Sequence, residues 1–487
     1  MALHLAFATR YGWFRDELYY VACGRRLALG YVDHPPLVAL VARAGMALGG
    51  GSLVGLRLFA ALAAAGTIVL AAELARTFGG RRVAELVAAL ATALAPYDLV
   101  VGHVYTMNAF EPLFWGGIAL VVARALRDDD ARGLVWLGPL VGLGVLGKHS
   151  ASWPAVALAI GVALSPSRRL LTRREPWIAA AVAIVLVAPH VAWQVQHDFP
   201  TREFARAALS GKNEPYGAAG LAAQLLQLFH PLSAPLWIAG LVSLFRSRVF
   251  RPIGVALVLL VVLVFATQAK VYYLGPAWPW LFAAGGVALE RSLGAGSTSR
   301  RRLAVAYGVL AAATALVLVP AAIPVLPVPA FQRYARALGV LGEQRTGEKM
   351  RPASLPQLYA DMHGWPELAA TARGVVAALS DEERRDAVLL ASNYGEASAL
   401  EHFDAGLPVG SGDNGWWLWG PPRARASVVV WVGHPTDALR ELCPTLEEAT
   451  RADHELARAD ERDLPLYVCR APRVSLTEAW PRMKHYR

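Results

Sequence analysis

Five short stretches hold most of the residues that could do chemistry, and each interrupts apolar sequence. The first reads Arg15-Asp16-Glu17-Leu18-Tyr19-Tyr20 and continues through Tyr31-Val32-Asp33-His34-Pro35-Pro36. The second holds His103, Tyr105, Asn108 and Glu111, and the third Lys148 and His149. The fourth holds His190, Gln194, Gln196, His197 and Asp198, with Arg202, Lys212 and Asn213 beyond it. The fifth holds Gln268, Lys270, Tyr272 and Tyr273. Asp16, Asp33 or Glu111 can serve as a general base, or offer hard oxygen ligands to a divalent ion. Arg15, Lys148 and Lys270 can hold a phosphate by charge. His34, His103 and His197 can complete a mixed imidazole and carboxylate metal site.

Each of these residues also has a plainer role open to it. Asp16 and Glu17 begin a stretch, 16–30, that reads as an amphipathic helix lying on a membrane, where acids cap a helix start and complement its dipole. Asp33 and His34 precede Pro-Pro, which forces an extended kink. Glu111 can cap the span that it opens, and Lys148 can snorkel. Lys270 with Tyr272 and Tyr273 can be an interfacial belt.

The elements that position these residues are membrane spans. The chain has 487 residues, 55% hydrophobic and only 17% charged, against about 25% charged in soluble proteins. Apolar runs at 53–75, 83–98, 110–126, 133–147, 152–165, 177–193, 221–245, 252–267, 275–290 and 303–327 predict about ten spans. The arginines fall in every second connection, at 76–82, 124–132, 168–174, 246–251 and 291–302. By the positive-inside rule those connections are cytoplasmic, and the five chemistry-bearing stretches face outward. Residues 1–327 carry a net charge of +13 and residues 328–487 a net of −3. The basic surplus is therefore a topology signal, and nucleic acid is not expected as a partner. Met1–Thr9 supplies only about half a span, so a further helix is expected upstream, a short re-entrant end being the alternative.

Ionisable groups gathered at one membrane face suit a site for an anionic, partly lipidic substrate. The elements RDELYY and YVDHPPL, followed in order by MNAFEPLFW, GLGVLGKHS, AWQVQHDFPT and KVYYLGPAWPWL, resemble the bacterial glycosyltransferases that include protein O-mannosyltransferases and lipid A aminoarabinose transferases. The resemblance covers roughly residues 10–290. It implies the type C fold, an α-helical polytopic membrane body with its site on the outer face, and a polyprenyl-phosphate-linked sugar as donor. It makes Asp16 the base with Glu17 beside it. It places Asp33 where relatives have an acid, which in the aminoarabinose branch binds a metal, with His197 as a loosely placed second ligand. His34 stands where relatives have a basic neighbour, and Glu111 where they commonly have Asp. Arg15, His34, Lys148, Lys270, Tyr272 and Tyr273 are then expected around the donor phosphate or substrate. A divalent ion is admitted, and no nucleotide cofactor is expected because the donor is a lipid.

Residues 328–487 read as a small extracytoplasmic α/β domain, with strands at 387–395, 427–433 and 464–470 and helical patterns at 366–386 and 436–443. Loops at Asn393–Glu396 and Ser411–Asn414, with Trp416, Trp417 and Trp419, can bind sugar, or the tryptophans can pack on the membrane body. Cys443 and Cys469 can pair outside the cytoplasm. The sequence thus predicts an inverting transferase in the cytoplasmic membrane, acting on an envelope glycan, lipid or protein. A transporter or flippase would instead show repeated broken helices with polar residues at the midplane. A non-catalytic polysaccharide-assembly protein would use the outer domain to bind glycan.

Overall fold

A computed structural model describes residues 1–211, 215–295, 297–339 and 354–486. Lys212 and Asn213 lie outside the described residues. The chain is a multi-pass helical body carrying a small sheet domain. Among the described residues, four helices are long and apolar enough to cross a membrane: Leu53–Thr77, Met107–Asp128, Arg174–Gln196 and Arg301–Ala322. Shorter apolar helices at Pro36–Leu48, Arg132–Gly147, His149–Ala163 and Arg251–Ala266 pack between and beside them.

Local chemistry sets the breaks. Ser52 accepts from the Gly55 amide at 3.2 Å and starts the first long helix. Pro96 divides the expected 83–98 span into Arg82–Leu94 and Pro96–Val101, because its ring cannot continue the ladder. The expected single span 221–245 is corrected to two helices, Ala218–Phe229 and Pro231–Arg246, bent by 96°. His230 sits at the bend with φ at +71°, a conformation rare outside glycine, and Pro231 follows it.

The sheet runs β2-β1-β3-β5-β4, with β1 (Val388–Ala391), β2 (Val409–Ser411), β3 (Val428–Val432), β4 (Glu447–Ala452) and β5 (Leu464–Arg470). β1 pairs parallel with β2 and β3, while β5 runs antiparallel between β3 and β4. Alternation along the strands makes two apolar faces. One carries Val388, Leu390, Val429 and Trp431, packed with the Cys443–Cys469 disulfide, whose Cα atoms are 5.8 Å apart.

The other face carries Leu389, Ala391, Val428, Val430 and Val432, and it does not end within the sheet domain. The same buried cluster continues through Trp365 and Trp416 into Leu18, Tyr19 and Tyr20, then to Val38, Leu56 and Ala60 of the helical body. The two parts share one core. This corrects the surface-lying helix expected at 16–30: the helix is Arg15–Arg25, and residues 17–24 are all buried. The sheet domain covers the side that would otherwise have met lipid or water.

Candidate active site

The Arg15–Arg25 helix presents its first turn to the junction between body and sheet domain. Asp16 is half-buried there. Its Oδ1 accepts a 2.8 Å hydrogen bond from the Tyr394 hydroxyl, which opens the helix after β1. Burial, with Asp16 close by, pushes the Tyr394 phenol well above its ordinary range, so it remains a proton donor. Among the described residues Asp16 Oδ2 has no hydrogen-bond partner.

Asp33 completes the same neighbourhood. Its Oδ1 accepts from the Tyr19 hydroxyl at 2.9 Å, and that hydroxyl in turn accepts from the Gly415 amide at 3.0 Å. A Cβ on Gly415 would stand 2.6 Å from the Tyr19 oxygen, so only glycine lets this backbone come so close. Tyr19 and Tyr394, which hold Asp33 and Asp16, have ring centroids 4.9 Å apart, and Tyr20 and Tyr394 both lie in the field of the two carboxylates.

Glu17 is elsewhere in chemical terms, and the expectation of a second catalytic acid is corrected. It is fully buried, and its two oxygens accept from Arg57 Nε at 2.7 Å and Nη2 at 2.8 Å, from the Phe14 amide at 2.8 Å and from the Tyr105 amide at 2.8 Å. Arg57 is itself 1% exposed and also donates to the carbonyls of Ala8 and Gly12. This pair ties the first outward stretch, the second outward stretch and the Leu53–Thr77 helix together. No proton acceptor is left over on Glu17.

Arg15 and His34 have different surroundings. The Arg15 guanidinium lies 4.5 Å over the Tyr394 ring, in the field of Glu461, Asp361 and Asp16, and its Nε has no hydrogen-bond partner among the described residues. His34 departs from its expected phosphate role. His34 is fully buried, stacked 4.5 Å from Tyr31, with Nδ1 donating to the Pro35 carbonyl at 2.8 Å. Burial lowers its pKa to about 4, so at neutral pH it brings no positive charge to an anion.

Glu111 and Lys148 prove to be each other's partners. Lys148 Nζ donates to Glu111 Oε2 at 2.6 Å and to Asn108 Oδ1 at 2.9 Å, and Ser150 donates to Glu111 Oε1 at 2.5 Å. Lys148 also lies 4.1 Å over Tyr273. Tyr272 stands between the two ammonium groups, 5.7 Å from Lys148 and 5.9 Å from Lys270. Lys270 is half-buried beside Tyr272 in the same outward stretch.

Asp33 and His197 are the expected metal ligands. Nδ1 of His197 bonds the Trp193 carbonyl at 2.8 Å, which leaves Nε2 as the ring's ligating atom, and the ring stacks 4.2 Å from Trp193. Among the described residues no three His, Cys, Asp or Glu side chains are grouped to hold an ion. The tryptophans serve packing: Arg26 stacks 4.9 Å over Trp416 and 4.6 Å over Trp419, while Trp417 and Trp480 exchange indole-to-carbonyl bonds. Arg57 and Tyr19 are positioning residues, holding Glu17 and Asp33 respectively. A lone arginine inside the apolar run LVGLRLFA was a usable signal for the first.

Structural similarity runs the length of the chain. ArnT from Cupriavidus metallidurans, solved bound to undecaprenyl phosphate, superposes with a TM-score of 0.62 over 96% of both chains at 18% identity. The fold is the type C glycosyltransferase fold. The arabinofuranosyltransferase AftD from Mycobacteria superposes at 0.51, over 96% of this chain and 39% of that one, at 15% identity. Residues 33–193 match the family model described as dolichyl-phosphate-mannose-protein mannosyltransferase. The lipid A galacturonosyltransferase RgtD of Rhizobium johnstonii is 30% identical over 191 residues, 39% of this chain. That match spans 40% of the relative's own length. Within the type C fold, Asp16 lies outside the sequence segment that the family model matches, so its role rests on geometry.

Proposed function

We propose that this chain is an inverting glycosyltransferase that moves a hexose or pentose from a polyprenyl-phosphate donor to an acceptor hydroxyl. The observation that carries this reading is the Asp16 carboxylate. One oxygen is held by Tyr394, whose ring lies 4.9 Å from that of Tyr19, the residue that holds Asp33. Asp16 Oδ2 takes the proton of the acceptor hydroxyl as that oxygen attacks the anomeric carbon. The bond from the anomeric carbon to the phosphate oxygen breaks, and polyprenyl phosphate leaves on the opposite face. Lys270 beside Tyr272 offers positive charge to the departing phosphate. Asp33, held by Tyr19, orients sugar hydroxyls.

The arginine-bearing linkers support a site on the outward face of the cytoplasmic membrane. The Cys443–Cys469 bond supports an oxidising compartment for the sheet domain. Similarity to a lipid A transferase makes an envelope lipid the first acceptor to try, ahead of glycan and protein. Full-length protein in liposomes, given radiolabelled polyprenyl-phosphate sugars and envelope extract, should incorporate label only with one donor. The product should carry the anomeric configuration opposite to the donor's. Retained configuration, or label moved without any lipid-linked donor, would refute the reading.

Tyr394→Phe keeps the ring beneath Arg15 and removes only the bond to Asp16. Steady-state kinetics should show kcat falling by about tenfold to a hundredfold, the cost of a misplaced base, with donor KM unchanged. An unchanged kcat would make Tyr394 a docking residue alone.

A further inference from the structure

A second feature lies at the opposite, arginine-rich end of the body. A cavity of about 290 Å³ opens among the Glu111–Asp128, Leu137–Gly147, Ser152–Ala163 and Arg174–Gln196 helices. Its lining is apolar throughout, with Val122, Val141, Ala159 and Ala180 on its walls and Leu171 at its arginine-rich end. Val122 is eleven residues beyond Glu111, about 16 Å along a helix, so the cavity is separate from the candidate site.

The chain around the open end is basic. Residues 124–132 and 165–175 hold seven arginines against four carboxylates. Arg169 is paired with Asp129, but Arg168 and Arg173 are exposed and form no ion pair among the described residues. Both flank Leu170 and Leu171, which line the cavity. An apolar slot beneath unpaired arginines matches one kind of molecule, an acyl chain joined to an anionic headgroup. A polyprenyl chain fits less well, because its single phosphate belongs at the other membrane face, near Lys270.

We propose that this cavity binds an anionic phospholipid from the leaflet on the arginine-rich side. One acyl chain fills the slot, and the headgroup phosphate lies against Arg168 and Arg173.

The test is native mass spectrometry of the full-length protein released from bilayers of equal phosphatidylglycerol and phosphatidylcholine. Wild type should retain phosphatidylglycerol over phosphatidylcholine by roughly 25-fold, as expected for two basic side chains near an anionic headgroup. Arg168→Gln with Arg173→Gln should bring that preference close to one. Ala159→Phe with Ala180→Phe, at two exposed cavity-wall positions, should abolish retention of either lipid. A preference that survives the arginine substitutions, retention that survives cavity filling, or a polyprenyl chain that phosphatidylglycerol does not displace would overturn the proposal.

Discussion

Asp16→Asn should abolish transfer, lowering kcat by about 10²–10⁴, the usual contribution of a positioned general base. The amide has the size and shape of the carboxylate. Its oxygen can still accept from Tyr394, so the contact between sheet domain and body survives. What disappears is the ability of the second oxygen to take a proton. Donor KM should stay the same, because Asp16 is not assigned to the phosphate. If Asp16 only complemented the helix start, its loss would cost about 0.3–1 kcal/mol of stability and leave turnover intact. The check pairs a liposome transfer assay with size-exclusion and proteolysis profiles, and wild-type turnover by a folded Asp16→Asn protein would sink the assignment.

Arg57→Met should cost stability rather than chemistry. It strips Glu17 of a bidentate partner at a site from which water is excluded, and breaking a buried pair in this way costs about 3–5 kcal/mol. That is a large share of the roughly 5–15 kcal/mol that holds a folded chain together. Glu17→Gln should also be destabilising, since it leaves Arg57 charged and buried. Replacing both by leucine should restore part of the loss, because no uncompensated charge remains. Recovery should be incomplete, since the amides of Phe14 and Tyr105 and the carbonyls of Ala8 and Gly12 also lose partners. Thermal unfolding in detergent measures each effect. A Glu17→Gln protein of normal stability and no turnover would return Glu17 to the catalytic role.

The helical body was legible because composition and arginine spacing are local signals. The division of labour between Asp16 and Glu17 was not legible. Neighbouring helical positions point in directions about 100° apart, and only the packing shows that Glu17 meets Arg57 and Asp16 meets Tyr394. Tyr394 stood out as a residue in a loop after a strand, but its partner is 378 residues away. No periodicity records such a pairing. Glu111 and Lys148 each stand in a stretch expected to face a substrate, and 37 residues of separation hide that they face each other. The bend at His230 did leave a trace, since a proline follows directly, but the apolar run on either side masked it.

The core shared by the sheet domain and the Arg15–Arg25 helix also sets an order of events during synthesis. The helix bearing Asp16 leaves the ribosome 378 residues ahead of Tyr394, with Trp416 and β5 later still. At about 5–20 residues per second, the helix waits roughly 20–75 s for the residues that cover it. A chain interrupted before then has a membrane body but lacks the Tyr394 bond to Asp16. The later-made sheet domain thus completes the surroundings of a helix made well before it.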